Sequence, residues 1–117
     1  MNTDITRNWP SPGTAYENAP SILREIGAVA EQATNRARGG TIGREFWLRK
    51  AALLDRIALA EAAKYAPEVA AKAQTVAEEA AYRFAEFDGL TQLPIEGEHT
   101  YRPYVRHAYR SWCDSTH

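Results

Sequence analysis

The side chains best suited to bind a metal ion lie together near the C-terminus of this sequence. All three histidines and the single cysteine fall within the last 19 residues, at His99, His107, Cys113 and His117. Zinc is commonly bound by such groups, but their spacing matches neither a short zinc finger nor a zinc ribbon. We therefore predict no metal site and no cofactor, and interpret these residues as surface histidines beside a small buried thiol.

Groups suited to nucleophilic catalysis also occur near the C-terminus, at His107, Ser111, Asp114 and Ser115. No nucleophile elbow or strained turn presents them, so they form no recognisable triad. Glu78 and Glu79 are adjacent, and on a helix their side chains point about 100° apart, which prevents them from acting as a pair. The sequence thus predicts a protein that is not an enzyme.

Six arginines are candidates for contact with phosphate or another anion. They are Arg36, Arg38 and Arg44 around a glycine-rich turn, and Arg102, Arg106 and Arg110 near the C-terminus. The turn precedes a predicted helix, where backbone N–H groups and guanidinium groups favour an anion, although the lysine and hydroxyl residues of a P-loop are missing. The second group alternates with tyrosines and a tryptophan, a pattern typical of nucleic-acid stacking and equally of protein interfaces.

Charge is segregated along the chain, although the net charge is only −1. Residues 36–56 hold six basic and two acidic residues, whereas residues 61–98 hold three basic and eight acidic residues. One interpretation is that a basic helix packs beside an acidic helix, within one chain or between two copies. The other is that the basic segment contacts phosphates.

Composition predicts a single helical domain. The chain has 117 residues, and 20 of its 21 alanines lie between Ala15 and Ala85. Alanine is the strongest helix former, and a chain of this length has room for one core. The single cysteine excludes an internal disulfide, and we find neither a signal peptide nor a run of about 20 apolar residues. We therefore expect a cytoplasmic protein with no membrane partner.

Hydrophobic spacing predicts an all-α domain over residues 19–117 after a flexible tail over residues 1–18. Four helices are expected: from Pro20 or Ser21 to Gly39, from Thr41 to about Tyr65, from Pro67 to Asp88, and from Tyr101 to Cys113. The stripe predicted to face the core is Ile22, Ile26, Val29, Ala33 and Ala37 in the first helix. In the third helix it is Val69, Ala73, Val76, Ala80, Phe84 and Phe87.

Pro67 determines how the second and third helices are connected. Inside a helix it would cost about 3 kcal/mol, whereas at the first position of a helix it is well tolerated. The segments on either side have similar lengths, which favours an antiparallel hairpin. We therefore predict a three- to four-helix bundle centred on this hairpin, with a single long kinked helix as the alternative.

A thin, alanine-rich core predicts that burial is completed by another chain. The sequence therefore favours a non-enzymatic protein-interaction module, a small regulatory or adaptor protein that forms a homodimer and binds a further protein. The expected interface residues are Phe46, Trp47, Phe84, Phe87, Tyr104 and Trp112. The alternative is a nucleic-acid-associated regulator that uses the basic segment Arg36–Arg56 and the arginines and aromatic residues of the C-terminal helix.

Overall fold

Regular secondary structure in the computed structural model is helical throughout the residues it describes, which are 9–37, 43–90 and 101–116. The side chains of residues 36, 37 and 116 lie outside this description. The helices are α1 (Pro12–Ala15), α2 (Ile22–Ala37), α3 (Arg44–Lys64), α4 (Pro67–Phe87) and α5 (Tyr101–Thr116). Helices α3, α4 and α5 pack together, while α2 packs on α3 and α1 packs on α5. The prediction of an all-α bundle is confirmed.

Helices α3 and α4 form the predicted antiparallel hairpin. Tyr65 and Ala66 are extended, and Pro67 is the first residue of α4. Arg44 at the start of α3 forms an ion pair of 2.7 Å with Asp88, which follows the end of α4. The chain therefore reverses at Pro67, and the alternative of a single kinked helix is wrong.

The observed helix ends follow the local chemistry of the chain. Ser21 precedes α2, and its hydroxyl accepts a hydrogen bond of 3.2 Å from the backbone N–H of Arg24. Helix α4 ends before Gly89, whose φ of +82° is a conformation that glycine adopts without strain. Helix α3 begins at Arg44 after Gly43, and the predicted start of this helix at Thr41 lies outside the described residues.

The core consists of small residues and a few large ones. The buried cluster comprises Leu48, Ala51 and Ala52 from α3, Ala81 and Phe84 from α4, and Val105, Ala108, Tyr109 and Cys113 from α5. Alanine side chains allow the backbones of α3 and α4 to approach closely, so the large side chains are concentrated where α5 packs on the hairpin.

The face of α4 that points inward differs from the predicted stripe. The buried residues are Ala70, Ala77, Ala81, Phe84 and Ala85. Only Phe84 belongs to both sets, and the helix is rotated by about one residue relative to the prediction. Alanine packs closely against α3, and Gln74 on this face donates a hydrogen bond of 2.7 Å from Nε2 to the carbonyl oxygen of Ala58. The predicted stripe therefore faces the edge of the hairpin.

The inward face of α2 also differs from the prediction. Glu25 is buried, with 1% of its surface exposed, whereas Ile26 is 44% exposed. The cause is an ion pair with α3, because Arg49 donates to both carboxylate oxygens of Glu25, at 2.7 and 3.1 Å. This pair turns the polar residue inward and the apolar one outward.

Residues 9–18 pack on the domain rather than extending from it. Ser11 caps α1 by accepting a hydrogen bond of 3.3 Å from the N–H of Thr14. The ring of Trp9 stacks on His107 with centroids 5.4 Å apart. Arg110 of α5 donates to the Thr14 carbonyl oxygen and to the carboxylate of Glu17, at 2.7 and 2.8 Å. The folded domain thus begins before the predicted boundary at residue 19, and residues 1–8 lie outside the described part of the chain.

Candidate interaction surface

Helix α4 presents an apolar flank to solvent along most of its length. Its three large residues are Val69, Val76 and Phe87, with 61%, 38% and 50% of their surface exposed. They recur at a spacing that places them on one side of a helix, about 27 Å from end to end. We call Val69, Val76 and Phe87 the α4 flank. It is the outer part of the stripe that the sequence predicted to face the core.

The flank is exposed because α4 has apolar residues on two adjacent faces. Helices α3 and α5 cover the alanine face that includes Ala77 and Ala81, both 1% exposed or less. No third described helix packs on α4. Valine and phenylalanine side chains cost free energy when they remain in water, roughly 1.5–3 kcal/mol each between full exposure and full burial. The α4 flank is therefore suited to bind another apolar surface.

A cleft of about 340 Å³ lies at one end of the α4 flank. It is lined by Trp47 of α3 and by Arg83, Glu86 and Phe87 of α4. Two aromatic rings thus form the apolar part of the cleft, and one basic and one acidic side chain form the polar part. Neither Arg83 nor Glu86 forms an ion pair with a described residue.

The six predicted interface residues are divided between this surface and the interior. Trp47 and Phe87 line the cleft together. Phe46 is 8% exposed and packs edge-on against Trp47 with ring centroids 5.3 Å apart. Phe84 is fully buried, so it belongs to the core and is excluded from any interface in this fold.

The other two predicted interface residues lie on α5 and make internal contacts. The Tyr104 hydroxyl donates a hydrogen bond of 2.5 Å to Asp88. The ring of Trp112 lies under the guanidinium of Arg49, 5.2 Å from its centroid. Both rings line a separate cleft of about 300 Å³ that also contains Arg44 and His107. The structure therefore does not bring Tyr104 and Trp112 to the cleft at Phe87.

Four of the six arginines predicted to contact an anion are paired with carboxylates of this chain. Arg44 pairs with Asp88, Arg102 and Arg106 pair with Asp55, and Arg110 pairs with Glu17 and Asp114. The side chain of Arg36 and all of Arg38 lie outside the described residues. The nucleic-acid alternative stays a prediction, and these four ion pairs do not favour it.

Asp55 is the centre of a buried polar cluster that the sequence analysis missed. Its carboxylate has no exposed surface and accepts hydrogen bonds from Tyr16, Arg102 and Arg106. The Tyr16 hydroxyl lies 2.6 Å from Oδ2, and Arg106 donates to both oxygens at 2.8 and 2.9 Å. The cluster continues through Arg102, which donates to Oε1 of Gln74 at 2.6 Å. One carboxylate thus connects α3, α4, α5 and the segment before α2.

The electrostatics of this cluster favour the charged form of Asp55. Burial acts to raise the pKa of Asp55, but the hydrogen bonds from Arg106 and Tyr16 and the positive charge of Arg106 outweigh it, so that the pKa is lowered. Burial and the negative charge of Asp55 raise the pKa of Tyr16, which therefore remains a hydrogen-bond donor. All the groups around this carboxylate are donors with defined partners, so the cluster serves to hold the helices together.

A second carboxylate, Asp88, organises the open end of the hairpin. Arg44 donates to both of its oxygens, at 2.7 and 2.9 Å, and the Tyr104 hydroxyl donates to Oδ2. The hydrogen bond from Arg44 lowers the pKa of Asp88, although burial opposes this shift. Burial, followed by the hydrogen bond to Asp88, raises the pKa of Tyr104 to about 12.

The histidine and cysteine groups are not assembled around a common centre in the described part of the chain. His107 stacks on Trp9, while Cys113 is 2% exposed in the core. His99 and His117 lie outside the described residues. Burial raises the pKa of the Cys113 thiol, which keeps it protonated and unreactive.

Comparisons with protein-family models, with curated protein sequences and with solved structures gave no match to this chain. Among the helices described, none combines the length and the apolar character needed to cross a membrane.

Proposed function

We propose that this protein is a non-enzymatic interaction module that associates with a second copy of itself through the α4 flank and the cleft between Trp47 and Phe87. The observation that carries the proposal is the exposure of three large apolar residues on one side of α4. Exposed apolar patches bounded by polar residues are typical of protein–protein contact sites. We place the protein in the cytoplasm, since its one cysteine is unpaired and a reducing compartment keeps it so.

The composition of the surface supports contact with a protein rather than with a small molecule. The flank is elongated, and the cleft at its end is open and bounded by one guanidinium and one carboxylate. Aromatic residues and arginine are the types that contribute most to binding at protein interfaces. An apolar centre with charged residues at its margin is the usual anatomy of such a contact.

A second copy is the proposed occupant because the surface carries both signs of charge. A partner with the same surface supplies an acidic group for each basic group and the reverse. Two-fold symmetric dimers use one patch on both subunits, which requires a patch that is complementary to itself. The regulatory or adaptor role proposed here follows from this association, with a further protein bound by the dimer.

Sedimentation velocity at micromolar concentrations tests the proposal. The wild-type chain is expected at twice its monomer mass of 13.1 kDa. Phe87→Ser is expected to shift the protein to the monomer, because it removes the most apolar group of the flank. Leu23→Ser is the matched control, since Leu23 is 80% exposed on α2 and lies outside the flank. A wild-type monomer at every concentration, or equal effects of both variants, would contradict the proposal.

A further inference from the structure

Helix α4 has an exposed side that is nearly symmetric about its own middle. Val69 and Phe87 lie nine residues to either side of residue 78. Lys72 and Glu86 lie seven residues to either side of residue 79. The small residues Ala73 and Ala80 lie on the same side as the flank, by their helical spacing. Large apolar groups therefore lie at both ends of this side, small groups lie between them, and opposite charges lie along one edge.

Two helices related by a two-fold axis perpendicular to them run antiparallel, so a residue at a given distance before the axis faces the residue at the same distance after it. An axis at residue 78 brings Val69 of one copy to Phe87 of the other, twice. It also brings Lys72 of one copy beside Glu86 of the other, twice. This register thus pairs apolar with apolar at both ends of α4 and brings Lys72 near Glu86, although Arg83, on the same edge of the helix, also comes near Lys72 of the other copy.

We infer that the protein forms an antiparallel two-fold dimer in which the two α4 helices pack along their flanks, centred near residue 78. This inference rests on the proposed self-association and adds its register. In this arrangement Val69 of each copy enters the cleft formed by Trp47 and Phe87 of the other. Val76 lies two helical turns from Val69 and close to the axis, so the contact covers the flank along its whole length.

The charged groups needed for this register are available. Lys72 and Glu86 are both exposed, and neither forms an ion pair with a described residue. Glu86 also lines the cleft that receives Val69, so Lys72, three residues after Val69, reaches the same place. Two symmetric ion pairs at the margin of an apolar contact fix its register more than they add to its affinity.

The register also predicts an unfavourable contact at the axis itself. Glu79 is exposed and lies beside the proposed axis, on the same edge as Lys72 and Glu86. Its carboxylate approaches the equivalent carboxylate of the second copy, and like charges at an interface repel. Glu79→Gln is therefore expected to lower the dimer dissociation constant, an effect that few other registers would give.

Charge reversal gives the decisive test, with sedimentation equilibrium as the measurement. Glu86→Lys turns two attractions into two repulsions and is expected to raise the dimer Kd about tenfold or more. Lys72→Glu loses the same two attractions but faces Arg83 as well as Glu86, so it is expected to raise the Kd by a smaller factor. An equal mixture of the two variants is expected to form a heterodimer with a Kd close to that of the wild type, because both reversed residues then face opposite charges. The controls Arg24→Glu and Glu31→Lys change charge equally on α2 and should leave the Kd unchanged.

The outcomes separate the register from the self-association on which it rests. If Phe87→Ser abolishes the dimer while both charge reversals leave it intact, the register is wrong and the proposed function stands. If the reversals weaken the dimer but the mixture is not restored, Lys72 does not face Glu86 and the inference is overturned. If the wild-type chain is a monomer, the proposed function itself fails. Helical content measured by circular dichroism in each variant shows that the fold is retained.

Discussion

The Asp55 cluster and the α4 flank lie on the same hairpin and have opposite relations to water. Around Asp55, charged groups are buried, and each has a defined partner within the chain. On the flank, apolar groups such as Val69 remain 61% exposed. A charged group can be buried when its hydrogen bonds are complete, whereas an apolar group needs only contact area. The chain thus completes the polar contacts of the Asp55 carboxylate by itself and leaves apolar contact area on α4 unused.

The largest loss of stability is expected when the buried Asp55 carboxylate is removed. Asp55→Ala leaves Arg102 and Arg106 without their acceptor, and both are largely buried. We expect the free energy of unfolding to fall by about 3–5 kcal/mol, measured by urea denaturation. Asp114→Ala is the control, because it removes an exposed carboxylate that also pairs with an arginine, and its effect should stay below about 0.5 kcal/mol. Equal losses from the two variants would show that burial does not distinguish these ion pairs.

Two phenylalanines on α4, three residues apart, allow the stability effect of a buried ring to be compared with that of a half-exposed one. Phe84 has no exposed surface, and its ring stacks on Tyr104 with centroids 5.7 Å apart. Phe84→Ala is expected to lower the free energy of unfolding by about 3 kcal/mol or more, because it removes a fully buried ring and leaves a cavity in the core. Phe87→Ala should cost the monomer much less, as half of Phe87 is already exposed. Thermal and urea denaturation at concentrations where the protein is a monomer measure the free energy of unfolding of both variants. A larger loss for Phe87→Ala than for Phe84→Ala would mean that the flank is covered within one chain.

Acid should weaken the Asp55 cluster. The lowered pKa of Asp55 means that its contribution to stability is present above the ordinary aspartate pKa of about 3.9 and is lost as the pH falls through the lower folded-state value. Urea midpoints measured from pH 7 downward should therefore fall most steeply in the acid range. Asp55→Asn should show a shallower decline than the wild type, since its side chain does not titrate. Parallel curves for the two proteins would contradict the assignment.

The smallest effect is expected at the open end of the hairpin. The Arg44 side chain is 47% exposed, although its two hydrogen bonds to Asp88 have good geometry. Ion pairs with this much access to water contribute little, so Arg44→Ala should lower the free energy of unfolding by about 1 kcal/mol or less. Added salt should reduce that difference further. A loss as large as that of Asp55→Ala would show that the Asp88 cluster, too, behaves as a buried one.

Helix positions were predictable from the sequence because they depend on local signals. Pro67 predicted the start of α4, because proline fits the first turn of a helix, and Gly89 predicted that the helix ends just before it, because glycine adopts a positive φ without strain. The rotation of α4 was not predictable in this way. Val76 and Ala77 are both apolar, and only the close packing that alanine allows against α3 decides which one faces inward.

The polar clusters were missed for a related reason. Arg102 and Arg106 were recognised as a pattern, but a periodic arginine pair suits an external anion as well as an internal carboxylate. Asp55 was the signal that would have separated the two, because it lies between Ala51 and Ala58 on an otherwise apolar face of α3. A single carboxylate on such a face predicts a buried cationic partner. The α4 flank, in contrast, belongs to the stripe that the sequence predicts to face the core, and it is exposed because α4 has apolar residues on two adjacent faces.

The sequence separation of the Asp55 contacts has a consequence for the order in which the chain folds. Tyr16 lies 39 residues before Asp55 and Arg106 lies 51 residues after it, whereas α3 and α4 are joined directly at Pro67. Closing the short connection loses less chain entropy, so the hairpin is expected to form first, while Asp55 keeps its hydration. The two ends of the chain then dock on one shared carboxylate. Both arginines and the tyrosine bind the same two oxygen atoms of Asp55. When one end of the chain docks, it holds this carboxylate in the position that the other end binds. The N-terminal and C-terminal segments should therefore fold and unfold as a single cooperative unit.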